Sequence, residues 1–462
     1  MTAKPTIVWL RDDLRLADNP ALDAAVERNA PVVVVYLLDD VSEGIRPLGG
    51  ASRWWLHHSL VALAASLEAI GSRLVLRRGP AATEIPRLVS ETDAAAVYWN
   101  RRYAASREID AALKQSLRDS GVEVDSFHAN LLFEPWSVTS ATDDPFQVFT
   151  PFWKACLARP VPREPLPAPA ALVSPEVASD RIEDWELLPT HPDWAGGLRE
   201  RWQPGEASAS RALADFRDGA LADYHRRDEP GQAATSRLSP HLRFGEISPF
   251  QVWHAVQGAL PVDDTENVAK FLSEVGWREF NWNILYHFPR LSTDNFRREF
   301  DAFPWRSDRD AELKAWQKGR TGIPLVDAGM RELWRTGYMH NRVRLVAASF
   351  LVKNLMIDWR LGERWFWDTL VDADEANNPA NWQWVAGSGA DPAPYFRVFN
   401  PLLQADKFDP ERKYINTWIP ADEPYPEPIV DVAQSRREAL DAYESMRAAR
   451  QPTAQPTTQP TH

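Results

Sequence analysis

The sequence predicts two structural classes in one chain: an N-terminal α/β domain built on a doubly wound parallel sheet, then a C-terminal all-α domain. Two observations carry this. The first third alternates short apolar, β-branched runs with amphipathic stretches of helical period, the pattern of strands and crossover helices. After Pro204 the β-branched runs vanish and helix-period segments follow one another. The length of 462 residues agrees, because it exceeds one comfortable hydrophobic core.

Strands are expected at 6–10, 31–38, 73–77, 95–99 and 122–127, with helices at 52–70 and 104–120 among them. This domain has neither a G-x-G-x-x-G fingerprint nor a P-loop, so no dinucleotide or triphosphate site is marked in it. Prolines recur from Pro135 to Pro204, notably Pro160, Pro162, Pro165, Pro167, Pro169 and Pro175. They cannot continue helices and suit an extended connector lying over the surface. Beyond it, helices are expected at 207–221, 249–256, 269–286, 323–336, 340–357 and 364–371. The division is then an α/β domain over 1–134, a connector over 135–204, an all-α domain over 205–432 and a C-terminal tail over 433–462. The tail is expected to be partly disordered, since 451–462 is rich in Pro, Thr and Gln.

Composition narrows the class. The hydrophobic fraction of 44% is ordinary, and no apolar run approaches the roughly 18–20 residues that cross a bilayer. The start leads straight into a strand, leaving no room for a signal peptide, and the single Cys156 cannot form an internal disulfide. A cytoplasmic enzyme with no membrane partner and no metal site is expected. A net charge of −13 argues against non-specific nucleic-acid binding over the whole surface. From Arg335 to Arg364, however, six Lys/Arg stand against Asp358 and Glu363, which is either a local basic face or a solvated helix surface. Twelve of the 21 tryptophans fall between Trp253 and Trp418, a density that invites stacking or electron transfer besides core packing.

The chemistry concentrates in the second domain. Amides, carboxylates and indoles crowd the run from Asp372 to Trp384, and His340-Asn-Arg-Val-Arg344 precedes it. Such a mixture is costly to bury unpaired, so it points to a large, flat, hydrogen-bonding ligand, best a redox cofactor beside an aromatic-lined pocket. Thr235-Ser-Arg-Leu-Ser239 offers three hydroxyls and a guanidinium within five residues, either a phosphate loop or a helix cap. Glu274, Trp277 and Arg278 share one helical face, and Asn341, Arg344 and Leu345 share another. An intrahelical pair between Glu274 and Arg278 is the simpler reading of the first.

These blocks resemble the DNA photolyases and cryptochromes. The likeness rests on Thr-Ser-Arg-Leu-Ser-Pro (235–240), Gly-Trp-Arg-Glu-Phe (276–280) and Gly-Arg-Thr-Gly-Ile-Pro-Leu-Val-Asp-Ala-Gly-Met-Arg (319–331). It continues through His-Asn-Arg-Val-Arg (340–344), Asp-Ala-Asp…Asn-Trp-Gln-Trp (372–384) and Arg-Val-Phe-Asn-Pro (397–401). Trp9 to Arg15 and Asn19 to Leu22 match as well, so the likeness runs in order over roughly residues 5 to 420.

The resemblance implies a bent FAD in the helical domain. Tyr224 and Thr235, Ser236, Arg237, Leu238 and Ser239 would hold its phosphates and ribityl side, with Arg278 nearby. Phe271, Asn341 and Ala373 are implied contacts too. Arg344 would pair with Asp372 beside the isoalloxazine ring, Asp374 would accept hydrogen bonds from it, and Asn378 would face its N5. An amide there adapts to a reduced flavin that a carboxylate would repel.

The implied substrate is a pyrimidine dimer flipped out of ultraviolet-damaged DNA. Trp277 and Trp384 would stack on it, Glu274 and Asn341 would hydrogen-bond its edges, and Leu345 would wall the pocket. Arg227, Arg342, Arg397 and Gln404 would grip flanking phosphates. Light would drive an electron from reduced flavin to the dimer and back, with no net redox change. Trp382, Trp359 and Trp305 would form a second electron route from the surface. Glu274, Asn378 and those three tryptophans are the implied catalytic residues.

Among family activities, repair of the (6-4) photoproduct is disfavoured, since its photolyases place histidines where this chain has Asn341 and Leu345. Dimer photolyases usually carry Asn and Met there, and Leu345 keeps an apolar wall of similar volume. Blue-light signalling by a cryptochrome is the alternative. A metabolite oxidoreductase ranks last, because no nicotinamide fingerprint is present. A second, antenna chromophore is left open among a folate, a deazaflavin and none. Ala104-Ala-Ser106 follows the relevant segment, with Glu108 as the substitute acid. A monomer is the family expectation.

Overall fold

A computed structural model describes residues 3–140, 142–260, 265–391, 396–420 and 424–449. Five strands, β1 (Thr6–Leu10), β2 (Val32–Leu38), β3 (Leu74–Arg78), β4 (Ala96–Asn100) and β5 (Glu123–Phe127), form one parallel sheet in the order β3-β2-β1-β4-β5. Val8 of β1 lies opposite Val34 on one side and Tyr98 on the other. The two-residue period of a strand sends neighbours to opposite faces. Val8, Val32, Val34 and Tyr36 therefore enter one core with α1 (Pro20–Glu27) and α2 (Gly50–Ala69). Ile7, Trp9, Val33 and Val35 enter the other with α3 (Ala81–Thr92) and α4 (Ser106–Asp119). A parallel sheet covered on both faces buries its central strands throughout, which is why β1 and β2 are apolar at every position but Thr6.

The connector is less extended than its prolines suggest. Phe149–Leu157 is a helix that buries Phe152, Trp153 and Cys156. Pro151 falls in its first turn, where a missing N–H costs nothing. The helical domain follows expectation in type. Its main elements are Glu206–Asp215, Pro249–Val256, Thr265–His287, Pro324–Thr336, Asn341–Ser349, Trp359–Thr369 and Asn377–Ala386. The helix expected over 340–357 is α-helical only to Ser349 and widens to a π turn over Phe350–Asn354.

The tail is the main departure. Val432–Ala448 is a helix whose Ala439 and Met446 are buried, capped by the Asp431 side chain accepting from the Gln434 N–H. Asn354 donates to Ser435 at 2.8 Å, and Arg306 pairs with Glu438 at 2.9 Å. Polar spacing hid it, because only one stripe of this helix meets the core. The disorder expected at 451–462 lies outside the described residues.

The two parts share one interface core. Trp55 of α2 meets the rings of Trp202 (5.4 Å) and Phe244 (6.1 Å) and donates to Glu246 at 3.0 Å. Leu14 N–H donates to Phe244 O at 3.1 Å, and Arg15 to Gly245 O at 2.9 Å. Gly245 sits at φ +63°, and a Cβ there would drive into the carbonyl of Asp12. Substituting Gly245→Ala should therefore destabilise the protein by about 2–4 kcal/mol, read as a lower urea midpoint. An unchanged midpoint would mean that the interface is not held this closely.

Candidate functional site

The site is built by the N-terminal turns of two helices, the middle of a third and one loop. His340 caps Asn341–Ser349 by accepting the Arg342 N–H, and burial keeps its imidazole neutral by lowering its pKa to about 4. That cap aims Asn341, Arg344 and Leu345 along one face. Asp374 accepts from the backbone N–H of Ala376 and Asn377, opening Asn377–Ala386. Thr265–His287 supplies Phe271, Glu274, Trp277, Arg278 and Asn281 at spacings of three, four and seven.

Arg344 holds Asp372 through two hydrogen bonds, 3.1 and 2.9 Å, and Ser239 Oγ donates to the same carboxylate at 2.6 Å. A cavity of about 400 Å³ opens beside this pair. Tyr224, Ser236, Leu238, Ser239 and Phe271 line one part of it. Asp372, Asp374, Arg278 and Asn341 line another, with Glu274, Trp277, Leu345 and Trp384 at the aromatic side. Ala373 and Asn378 line a smaller adjoining space with Trp382 and Phe366. Asn378 gives its amide N–H groups to Glu363 O and Oε1, at 3.1 and 2.8 Å. Its carbonyl oxygen has no partner among the described residues.

Thr235 and Arg237 do not line the main cavity. They face a wider cleft, reached past Ser236, with Arg199, Arg201 and Arg211. Arg237 forms no ion pair among the described residues and stands at φ +54°. The donor set fits a flavin dinucleotide: the Tyr224, Thr235 and Ser236 hydroxyls and the Arg237 guanidinium at one end, a neutralised carboxylate and an unmatched amide oxygen at the other.

The expected pair between Glu274 and Arg278 does not form. Glu274 instead approaches Arg227 (3.5 Å) and Lys270 (3.8 Å), while Arg278 donates to Asn130 O at 2.9 Å. Burial raises the Glu274 pKa despite both cations. Trp277 stacks on Phe149 at 3.9 Å between ring centroids and 10° between planes. Trp384 Nε1 donates to Asp391 O at 2.9 Å. Arg397 and Gln404 lie outside the cavity, Arg397 exposed over Phe399 and Gln404 on Pro401–Phe408 with a buried, unpaired Oε1.

The basic run is not one face. Lys353 is buried, and Arg335, Arg342, Arg344 and Arg360 pair with Glu200, Asp228, Asp372 and Asp358, leaving Arg364 exposed. Glu108, considered as an antenna contact, is exposed. The acids at the cleft beside Arg101–Ser106 are Asp12, Asp374 and Glu375. Sequence reasoning passed over Asn281, which donates to Asn377 at 2.8 Å, and Arg243, which donates to Ala373 O at 2.9 Å. Extending the stripe from Glu274 by seven residues would have found Asn281. Nothing local marks Phe149 or Arg243.

A family model described as the FAD binding domain of DNA photolyase matches residues 271–445, and one described as DNA photolyase matches residues 6–170. Deoxyribodipyrimidine photo-lyase of Agrobacterium fabrum is 48% identical over 96% of this chain and 98% of its own length. The chain belongs to the DNA photolyase/cryptochrome family. Arabidopsis thaliana cryptochrome-1 is 39% identical over 90% of this chain but only 62% of its own length. The crystal structure of a bacterial class III photolyase from Agrobacterium tumefaciens superposes with a TM-score of 0.91, at 48% identity over 97% of this chain and 98% of that one.

In this photolyase-family chain an ionic seam runs from the sheet to the cavity. Arg243 bridges Asp12 (2.6 Å) and Ala373 O. Beside it, burial raises the Glu375 pKa from 4.5 to about 7, with Arg243 opposing and Asp12 reinforcing the shift. A carboxyl raised on folding stabilises the protein below its unfolded pKa and loses that contribution as pH rises through the folded value. Relative to the wild type, Glu375→Gln should therefore gain on the order of 1–2 kcal/mol between pH 5 and pH 7.5. Urea midpoints at both pH values check it; a constant difference would contradict the shift.

Proposed function

We propose that this chain is a light-driven carbon–carbon lyase that splits cyclobutane pyrimidine dimers in ultraviolet-damaged DNA, working as a cytoplasmic monomer. One observation carries the reading. The side chains suited to a pair of linked pyrimidines, Trp277, Trp384, Glu274, Asn341 and Leu345, share one cavity with the Arg344–Asp372 pair and Asp374 suited to a flavin. When bound, reduced FAD supplies the electron that light transfers to the dimer and takes back.

The chain's own residues do the rest. Tyr224, Ser236, Arg237 and Ser239 would hold the phosphate and ribityl arm, and Arg344 keeps Asp372 from repelling an anionic ring. Glu363 accepts both amide N–H bonds of Asn378, which leaves the Asn378 carbonyl oxygen to meet the ligand. Burial raises the Glu274 pKa, and its carboxyl stands in the cavity where it would meet the hydrogen-bonding edge of the dimer. Phe149 braces Trp277 from behind, which keeps its free face available for stacking. Arg227 and Arg342 reach DNA phosphates by exchanging Glu274 and Asp228 for a backbone anion.

Trp382, Trp359 and Trp305 suit an electron path to the surface. The ring of Trp382 crosses Gly362, one turn beyond Trp359 on the same helix. Trp359 is buried and donates to Asn295 at 2.9 Å, while Trp305 is half-buried against Phe303 at 4.4 Å. Signalling would use the same cofactor pocket and path. Repair is favoured because the dimer-facing side chains remain in that pocket.

Purified protein should carry a flavin absorption spectrum and restore transforming activity to ultraviolet-damaged DNA only under illumination. Bound flavin without repair would favour signalling. Trp277→Ala should reduce preference for dimer-containing over intact DNA by roughly 1–3 kcal/mol in competition binding, the worth of one base stacked on an indole. Undiminished preference would misplace the pocket. Trp382→Phe should leave repair by chemically reduced protein largely intact and slow light-driven reduction of the oxidised form, compared by single-turnover repair and steady illumination. Equal loss of both would remove the path.

A further inference from the structure

Behind Trp384, away from the flavin pocket, a three-layer stack joins the C-terminal helix to the proposed DNA-contact segment. Tyr443 lies flat on Phe396, with ring centroids 4.3 Å apart and planes at 7°. Lys353 Nζ stands 3.1 Å from the same Phe396 centroid. At that distance the amino nitrogen must sit over a ring face, and Tyr443 already covers one, so Phe396 is enclosed between them. Lys353 also donates to Ala386 O at 2.6 Å. That carbonyl ends the helix carrying Trp382 and Trp384, and burial with no acidic partner holds the Lys353 pKa well below its ordinary value, so the contact is a hydrogen bond from the amino group rather than an ion–dipole contact.

The stack is tied at both ends. Phe300 and Phe303 approach Tyr443 and Phe396 at 6.1 and 6.0 Å. Asn354–Ser435 and Arg306–Glu438 hold the C-terminal helix from the other side. Phe396 immediately precedes Arg397, and the Phe399 N–H is fixed on Ser349 Oγ at 3.1 Å. One ring thus sets both the start of the Arg397 segment and, through Lys353, the end of the Trp384 helix.

We propose that Tyr443 is a positioning residue for damaged DNA: by clamping Phe396 against Lys353 it holds Arg397 and Trp384 in register with each other. This rests on the repair reading above. The C-terminal helix would then govern DNA affinity without touching flavin or DNA.

The test compares full-length wild-type, Tyr443→Ala, Tyr443→Leu and Tyr443→Phe proteins, each checked for flavin content and thermal unfolding. Tyr443→Ala should bind a dimer-containing oligonucleotide about tenfold more weakly, while repair yield per absorbed photon at saturating DNA stays at the wild-type level. Tyr443→Phe, which keeps the ring, should restore affinity. Tyr443→Leu, which keeps apolar bulk without a flat face, should not, and it serves where the alanine variant fails to fold. Amide hydrogen exchange at 396–400 should rise in the alanine and leucine variants. Affinity within twofold of wild type for both, or loss of yield at saturation, would overturn the proposal. If wild-type protein does not distinguish dimer from intact DNA, the repair reading fails instead; unchanged exchange at 396–400 would then also remove the clamp.

Discussion

The Arg344–Asp372 pair is the constraint on which the candidate site depends. Asp372 is almost wholly buried and Arg344 mostly so, which makes each costly to leave alone. Their bidentate contact, with Ser239 as a third partner, joins Asn341–Ser349, the loop before Asn377–Ala386 and the hydroxyl-rich loop at 235–239. Arg344 Nε also donates to Met339 O at 2.6 Å, fixing the guanidinium plane. Removing one partner of such a pair typically costs about 3–5 kcal/mol, because the other charge stays buried. Position rather than net stability is what it contributes.

Around that pair, polar groups are satisfied by one another in a chain. Asn281 donates to Asn377, Asn377 to Asp374 at 2.6 Å, and Asp374 also receives backbone N–H groups. Asn378 is fixed by Glu363, which itself receives Arg46 at 2.6 and 2.9 Å from the sheet domain. Connected networks of this kind rigidify a site, since moving one member strands another in low dielectric. The α/β domain thus steadies a residue of the helical domain's pocket through Glu363.

The abundance of tryptophan divides along burial. Trp9, Trp54, Trp55, Trp99, Trp185 and Trp316 are fully buried packing residues, and Trp359 is equally enclosed. Trp277 and Trp384 are half-buried and line the cavity. Number alone therefore says little about stacking; partial exposure beside a cavity distinguishes the two uses.

Sequence alone determined the alternation of strand and helix, the change to an all-α domain, and most of the polar face at 341–345 and 372–384. Those signals are local periodicities and contiguous blocks, which survive without coordinates. Tertiary structure decided what contiguity cannot carry. Phe149 reaches Trp277 across 128 positions, Lys353 and Tyr443 meet on Phe396, and the arginines of 335–364 turn to separate partners rather than forming one basic face. The helix at Val432–Ala448 escaped for the same reason. It buries one narrow stripe against residues far back in the chain, and a stripe that thin resembles solvent-facing sequence until its partner is in place.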